Sequence, residues 1–546
     1  MFFLAAGRPG TVPAQTDIVP PTVAITSHLS GATVCGTIRV AASAADDVGV
    51  VGVQFKYDGI DFGNEVTSAP YAAYAYTADV PNGTYTLTAV ARDAAGNRAT
   101  SPPVEVTVAN TTPYSSCRFI PTFLVYYGGG STLTTGDAPK LAKYDLLDLD
   151  RWRYYDINST NSWSSDTWAA VRAFNPNVQI YLYEMGAESS NYADSTPQVY
   201  LNSLGRYDVS RGHPMGSLNA DHPDLFLHDS SGKRVYSLYH SDVAASQYWY
   251  LMDFGAQAYQ TYWLTAVDTD IVNQPWVADG VFADNCVTLA TAGLYNETPS
   301  AYPTNAAWAI AMNDFAGAVT AGAHRYGQKL WCNRGETRNE DGHAAWIALD
   351  RSASPPDVLL EEGAFAVAWG PWAVQFYQES EWKRQVDTVA AIRNSNVAVM
   401  SHTKLLEDQA GTDNWGQPVT FWQALWYSIG SFLLGKNDVL RNAYFTFAGG
   451  LGFSRLWWYD EYDRLELGKA AGPYFVTTAG AANIYWREFE KGYVYVNPSP
   501  DDAIAVALPQ AMRQLTHDNL SVPPDQLPLV TEIQVNRHSA AILLKP

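Results

Sequence analysis

The stretch DVLLEEGAFAVAWGPWAVQFYQESEWKRQVDTVAAIRNSNVAVMSH, residues 357–402, lays out a strand, a helix and a second strand in order. Its two ends, Asp357–Gly363 and Asn396–His402, are short apolar runs that finish on polar residues. Between them Glu379–Arg393 reads as an amphipathic helix. The same order continues outward in both directions. Strands are expected at Phe119–Tyr127, Tyr144–Trp152, Val178–Met185, Gly280–Asn285 and Lys329–Arg334 before it, and at Tyr444–Ala448 after it. Trp163–Phe174 and Ala306–Tyr326 supply further amphipathic segments. Eight strand-then-helix units over about 340 residues argue for a (β/α)8 TIM barrel, which tolerates insertions of this size. A doubly wound sheet fits less well, because no Gly-rich dinucleotide turn follows the first strand.

The flanks read differently. Residues 1–20 are rich in Pro, Gly and Thr and are expected to be a leader or tether. Residues 21–112 alternate apolar and polar positions, as in Ile38, Val40 and Ala42, in Tyr85, Leu87 and Ala89, and in Val104, Val106 and Val108. Turn signals at Tyr57-Asp58-Gly59 and Pro81-Asn82-Gly83 separate these runs, which together predict an immunoglobulin-like β-sandwich. Asn110–Pro113 reads as a hinge, 113–471 as the barrel, and 472–546 as a small antiparallel β-domain. Residues 186–279 are too long for a plain connection after the third strand. They are expected to be partly helical, over Tyr248–Leu264, and to build one wall of a cleft.

Composition narrows the function. The chain has 546 residues, 47% of them hydrophobic and 16% charged, so it buries a large core and is not disordered. A net charge of −21 argues against a nucleic-acid backbone or an anionic membrane surface as partner. With 18 Trp and 34 Tyr, the chain is well supplied with the flat apolar faces on which sugars stack. The longest apolar stretch, Phe421–Gly435, is too short to span a bilayer and is interrupted by Gln423 and Ser428. Met1–Gly7 is apolar but short for a signal peptide, and an exported, monomeric protein is expected. Cys35, Cys117, Cys286 and Cys332 show no metal-type spacing, and either four buried thiols or two disulfides fit. Bridges between Cys286 and Cys332, on adjacent strands, and between Cys35 and Cys117 are both geometrically reasonable.

In a (β/α)8 barrel, chemistry gathers at the C-terminal ends of the strands. The fourth strand ends in Asp284 and Asn285, the sixth in Glu361, Glu362 and Gly363. Two carboxylates facing across a cleft are the minimum for glycoside hydrolysis. Asp284 follows Gly-Val-Phe-Ala and has little packing reason to be there. Of the two glutamates only one can face the mouth; Glu362 is preferred because Gly363 lets the chain turn, and Glu361 could pair with a basic residue outside. Apolar cover from Phe365, Trp369 and Trp372 would suit Glu362 as general acid/base, leaving Asp284 as nucleophile or base. Arg151, Trp152, Tyr183, Asn285, Asn333, Arg334, His402 and Trp369 are the expected substrate contacts. Trp457, Trp458, Tyr459 and Asp460 could complete the cleft, although a tryptophan pair is as often core. No metal or cofactor is expected: HExxH is absent, and Gly430–Lys436 mimics a phosphate loop only until Asn437 replaces its Ser or Thr. Asp46, Asp47 and Asp93 could bind calcium, but turn-capping is the stronger reading.

Two resemblances agree with this. PPTVAITSHLSGATVCGTIRVAASAADDVGVVGVQFKYDG with NGTYTLTAVARDAAGN resembles the bacterial immunoglobulin-like repeats found beside secreted carbohydrate-active enzymes, which implies a spacer without chemistry of its own. LAKYDLLDLDRW, WAAVRAFNPNVQIYLYE, DGVFADN, PDVLLEEGAF and IYWREFEKGYVYVNPS resemble the hypothetical bacterial glycoside hydrolase families with a (β/α)8 barrel and trailing β-domain. The resemblance implies acidic residues at Asp284 and Glu362, and departs at Ala283, where a bulkier apolar residue is common. The expected function is hydrolysis of a polysaccharide or its oligosaccharides, with endo action. A catalytically inactive glycan-binding barrel and a polysaccharide lyase are the rivals.

Overall fold

In a parallel sheet roofed by helices both faces of each strand are buried, so such strands are apolar along their whole length. The computed structural model describes residues 17–109 except 28–29, 35–36, 68–70 and 78–79. It also describes 118–546 except 127–132, 134, 150–164, 176–177, 191–221, 239–240, 242, 245–247, 269–277, 290–293, 438–442, 481 and 502. The hinge at Asn110–Pro113, Arg151, Trp152, Cys35 and Cys117 lie outside the described residues. The chain divides into two compact units, 1–112 and 113–546.

In the second unit eight strands form one parallel sheet: β1 Phe123–Tyr126, β2 Leu146–Leu149, β3 Gln179–Met185, β4 Gly280–Asp284, β5 Lys329–Asn333, β6 Val358–Glu362, β7 Asn396–His402 and β8 Ala443–Ala448. Neighbours pair in chain order. A parallel bridge between Thr122 and Phe445, with Phe445 N–H donating to the Pro121 carbonyl at 2.9 Å, joins the last strand to the first and closes the cylinder. The described helices are α1 Ala138–Leu141, α2 Ser165–Phe174, α3 Gln257–Val267, α4 Asn305–Arg325, α5 Glu340–Asp350, α6 Glu379–Ala391, α7 Phe421–Gly435 and α8 Asp460–Arg464. Local chemistry starts them where it should. Thr304 Oγ1 accepts the Ala307 N–H ahead of α4, and Thr420 Oγ1 the Gln423 N–H ahead of α7.

The barrel interior is plugged low down by rings. Trp331 makes edge contacts with Phe123, Tyr181 and Phe282 at centroid distances of 5.4, 5.3 and 5.0 Å. The register sets what lies above: Tyr183 pairs with Phe282, Phe282 with Trp331, and Met185 with Asp284. On β4 and β5, Asp284 and Asn333 therefore stand two residues above Phe282 and Trp331 on the same face.

The apolar stretch Phe421–Gly435 is α7, buried almost throughout because it is packed on two sides. Beyond it, Phe475–Ala479, Ala482–Glu488, Gly492–Asn497, Ser539–Leu544, Ile504–Leu515 and Leu529–Val535 form an antiparallel sheet in that spatial order. Gly430 lets that sheet approach α7 closely, since a Cβ there would collide with Ala540. No helix among the described residues is long and apolar enough to cross a membrane. The insertion differs from expectation. Trp249–Leu251 is a strand paired antiparallel to Glu188–Ser190, and the helix starts only at Gln257. Its alternating Trp249, Tyr250 and Leu251 carry the strand period that a helix reading overlooks.

The first unit is the immunoglobulin-like sandwich. Thr22–Ile25, Thr37–Ala45 and Tyr71–Tyr76 form one sheet. Ala32–Val34, Val104–Val108, Gly83–Asp93, Val50–Tyr57 and Ile60–Val66 form the other, with Arg98–Thr100 added on Gly83–Asp93. Val40, Val53, Phe55, Leu87, Ala89 and Val106 fill its core. The Asp58-Gly59 hairpin turn holds both residues at positive φ, 45° and 82°, as a two-residue turn of that hand requires.

Candidate active site

β4, β5 and β6 end on Asp284, Asn333 and Glu362, one polar side chain per strand at the mouth of the cylinder. Asn333 Nδ2 donates to Asp284 Oδ1 at 2.8 Å and to Glu362 Oε2 at 2.6 Å. One amide nitrogen has two hydrogens, so both are engaged. The two carboxylate oxygens are no farther apart than these bonds laid end to end, about 5.4 Å.

Asp284 is held from three directions. Besides Asn333, the Tyr183 hydroxyl donates to Oδ2, and the Asn285 N–H donates to Oδ1 at 2.8 Å. Asn285 makes that bond from a φ of 52°, a left-handed conformation that Asn tolerates better than most residues. The Tyr183 ring stacks on Phe282 at 5.6 Å, so the aromatic floor fixes the phenol.

The backbone leaving Glu362 is held as firmly. Gly363 and Ala364 both donate to the Met400 carbonyl, at 2.9 and 2.8 Å, while Tyr377 Oη donates to the Gly363 carbonyl at 2.9 Å. Gly363 sits at φ 98° with the Trp369 ring directly against its Cα, so a side chain has neither the conformation nor the room. Trp369 is exposed; Phe365, also expected as cover, is fully buried.

Strand alternation sends the next residues the other way. Glu361 is buried on the outer face of the barrel, where the Thr337 N–H donates to Oε2 at 2.8 Å. Arg338 is the basic residue on that side; burial nevertheless pushes the Glu361 carboxyl up to about 7, against smaller lowering by Thr337 and Arg338. Arg334, one residue past Asn333, is likewise fully buried and donates to Asn313 Oδ1 of α4 at 2.5 Å. That corrects its reading as a substrate contact. Tyr183 and Asn333, also expected to touch substrate, are mostly buried and hold the carboxylates.

His402 closes β7, its Nδ1 accepting the Ala368 N–H at 3.0 Å. Burial pushes its imidazole down to about 4. Trp457 and Tyr459 are core residues. Cys286 and Cys332 are free and buried, so of the two alternatives open for this pair the structure holds the thiols. Hydrogen bonding to Cys332, then burial, push the Cys286 thiol up. Away from this mouth, Asp17, Asp46 and Asp47 bring ligand atoms within 4.8 Å of one another. Asp46 Oδ2 caps a turn by accepting from Val48 and Gly49, and Asp93 Oδ1 does the same for Gly96 and Asn97. The carboxylates were legible as acids ending apolar runs. The holding roles of Tyr183 and Asn333 follow only from register between strands.

Comparison with known proteins defines the class. This closed barrel is that of a glycoside hydrolase: residues 172–493 match the family model described as hypothetical glycosyl hydrolase family 15, and residues 21–89 match a bacterial Ig domain. The chain belongs to that glycosyl hydrolase family, and its substrate class is carbohydrate. Among solved structures, a family 39 glycoside hydrolase from Bacteroides cellulosilyticus WH2 is similar at 9% identity, covering 96% of this chain and 100% of its own, with a TM-score of 0.39. A cycloalternan-degrading enzyme from Trueperella pyogenes is similar at 10% identity, covering 96% and 82%, with a TM-score of 0.37. The fibronectin(III)-like modules of Clostridium thermocellum CbhA are 30% identical over 16% of this chain and 94% of theirs, with a TM-score of 0.15. No curated protein matches.

Proposed function

We propose that this chain is an exported, retaining glycosidase that cleaves a polysaccharide or its oligosaccharides, with Asp284 as nucleophile and Glu362 as general acid/base. The observation that carries the reading is the shared Asn333 amide, which holds one oxygen of each carboxyl within about 5.4 Å of the other and so favours the closer, retaining spacing. Retention calls for carboxyl groups roughly 5–5.5 Å apart; inversion needs about 6.5–9.5 Å to admit a water.

The reaction then runs in two steps. Glu362 gives its proton to the glycosidic oxygen while Asp284 attacks the anomeric carbon. The bond to the leaving sugar breaks and a glycosyl ester forms on Asp284. In the second step Glu362, now a carboxylate, takes a proton from water as that water attacks the same carbon, and Asp284 leaves. The donors converging on Asp284 support its part: Asn333, Tyr183 and the Asn285 N–H leave its carboxylate aimed, with little freedom to rotate. The long 186–279 insertion after β3 supports an extended cleft and endo action. The immunoglobulin-like unit supports export and a spacer role.

Reducing-sugar release from a panel of polysaccharides, with NMR of the first-formed anomer, tests this. The expected result is a product of unchanged anomeric configuration, lost in Asp284→Asn and in Glu362→Gln. Binding without release would leave a glycan-binding barrel; absorbance from a new double bond would mark a lyase; an inverted anomer would overturn retention.

A further inference from the structure

His402 lies on β7 two residues past Met400, and Met400 pairs in register with Glu362. Side chains two apart on a strand share a face, which sets His402 at the mouth beside the acid/base. Because its Nδ1 accepts the Ala368 N–H, the proton of the neutral ring sits on Nε2. The residue is 9% exposed, and Nε2 is a buried atom with no hydrogen-bond partner in the protein. Buried donors are nearly always satisfied, by protein, water or ligand. Next to it stands Trp369, 56% exposed, its ring centroid 5.1 Å from the imidazole and its far edge against Gly363. An exposed indole packed on the imidazole and an unpartnered buried donor thus lie side by side next to Glu362.

We propose that Trp369 and His402 form the sugar-recognition wall of this site, Trp369 stacking on the face of an uncharged pyranose while His402 Nε2–H donates to one of its hydroxyl oxygens. This rests on the glycosidase reading for the class of ligand. The charged groups around the wall favour an uncharged ring. The Asp284 carboxylate, which the reaction keeps ionised as nucleophile, repels a sugar carboxylate. The Lys404 ammonium, two residues past His402, is engaged by the Gly370 carbonyl. Burial keeps the imidazole neutral down to about pH 4, so it donates without charge.

Calorimetric titration of the Glu362→Gln chain with cellotetraose, mannotetraose, xylotetraose, maltotetraose and trigalacturonate tests the wall. At least one neutral tetraose is expected to bind, with constant affinity from pH 8 to pH 5, and trigalacturonate is not. Adding His402→Phe should weaken that binding roughly 10- to 100-fold, and His402→Gln, which keeps a donor, should recover part of the loss. Trp369→Ala, at a half-exposed position, should weaken it similarly. Preference for trigalacturonate, binding that changes near pH 6.5, unchanged affinity in both His402→Phe and Trp369→Ala, or no binding of any probe would each overturn the wall. A neutral tetraose that binds the wall but is not cleaved by the unmutated chain removes the glycosidase reading alone. Cleavage with indifference to both wall substitutions removes the wall alone.

Discussion

Tyr183 and Asp284, on the neighbouring strands β3 and β4, share a hydrogen bond in which the phenol donates to Oδ2 of the carboxylate. The ring behind that hydroxyl stacks on Phe282, two residues before Asp284 in the same strand. The contact therefore closes a small loop, from the floor of the barrel to the phenol and back to the acid that stands on that floor. Tyr183→Phe keeps the ring and removes only the donor. A hydrogen bond to a charged group is worth about 1.5–3 kcal/mol, so kcat should fall roughly 10- to 150-fold. KM and the melting temperature should hardly change. Steady-state kinetics beside a thermal melt would check this, and an unaltered kcat would remove the positioning role.

Asn333 sets the distance between the two acids, so its replacements should rank by what they put in the gap. Asn333→Ala removes both donors and lets the carboxylates drift apart. Asn333→Asp brings a further carboxyl group within hydrogen-bond reach of both acids and sets a like charge beside the Asp284 carboxylate, which costs several kcal/mol at the effective dielectric of such sites. Activity is expected to fall by about 100-fold in the first and further in the second, following the cost of one lost electrostatic support. Kinetics of both variants on one substrate decide it; Asn333→Asp as active as Asn333→Ala would mean the amide does not govern the gap.

The eight barrel strands were readable because each is buried on both faces and so appears as an unbroken apolar run. Asn396–His402 was expected and is found with the same ends, and Gly280–Asn285 differs by one residue. Asp284 and Glu362 stood out because an acid ending such a run has no packing reason to be there. Arg334 was misread although the rule that corrects it is local: one step past Asn333 turns a side chain to the outer face, where α4 receives it. Tyr183 and Asn333 could be named as polar residues at strand ends. That they grip the acids depends on which residues lie level across β3, β4, β5 and β6, and nothing within one strand encodes that register.

Glu361 makes stability depend on pH. Its folded-state value is raised from 4.5 to about 7, chiefly by burial. Below the unfolded value both states are protonated and the group has no effect. As pH rises from about 4.5 to about 7 the unfolded chain ionises first, so stability is lost, at up to about 1.4 kcal/mol per pH unit. Glu361→Gln keeps an acceptor for the Thr337 N–H and carries no charge. It should match the parent chain near pH 4.5 and be the more stable of the two at pH 8. Denaturation midpoints of both at the two pH values test this; a gap that does not widen with pH would place the ionisation elsewhere.

Gly186 ties the end of β3 to the backbone of Asp284, the proposed nucleophile. Its N–H donates to the Asp284 carbonyl at 2.7 Å, and a Cβ added to it would stand 2.6 Å from that oxygen and 2.6 Å from Cys286 Sγ. The thiol can yield, but the carbonyl belongs to the strand that aims Asp284. Gly186→Ala should therefore cost about 1–3 kcal/mol in stability, as overpacking does, and also lower kcat by displacing the carboxylate. Adding Cys286→Ala clears the sulfur and leaves the oxygen in the way. The double variant should then regain part of the stability while kcat stays low, measured by denaturant melts and kinetics on the same preparations. Recovery of both together would show that the crowding falls on the thiol and that the backbone of Asp284 was never pushed.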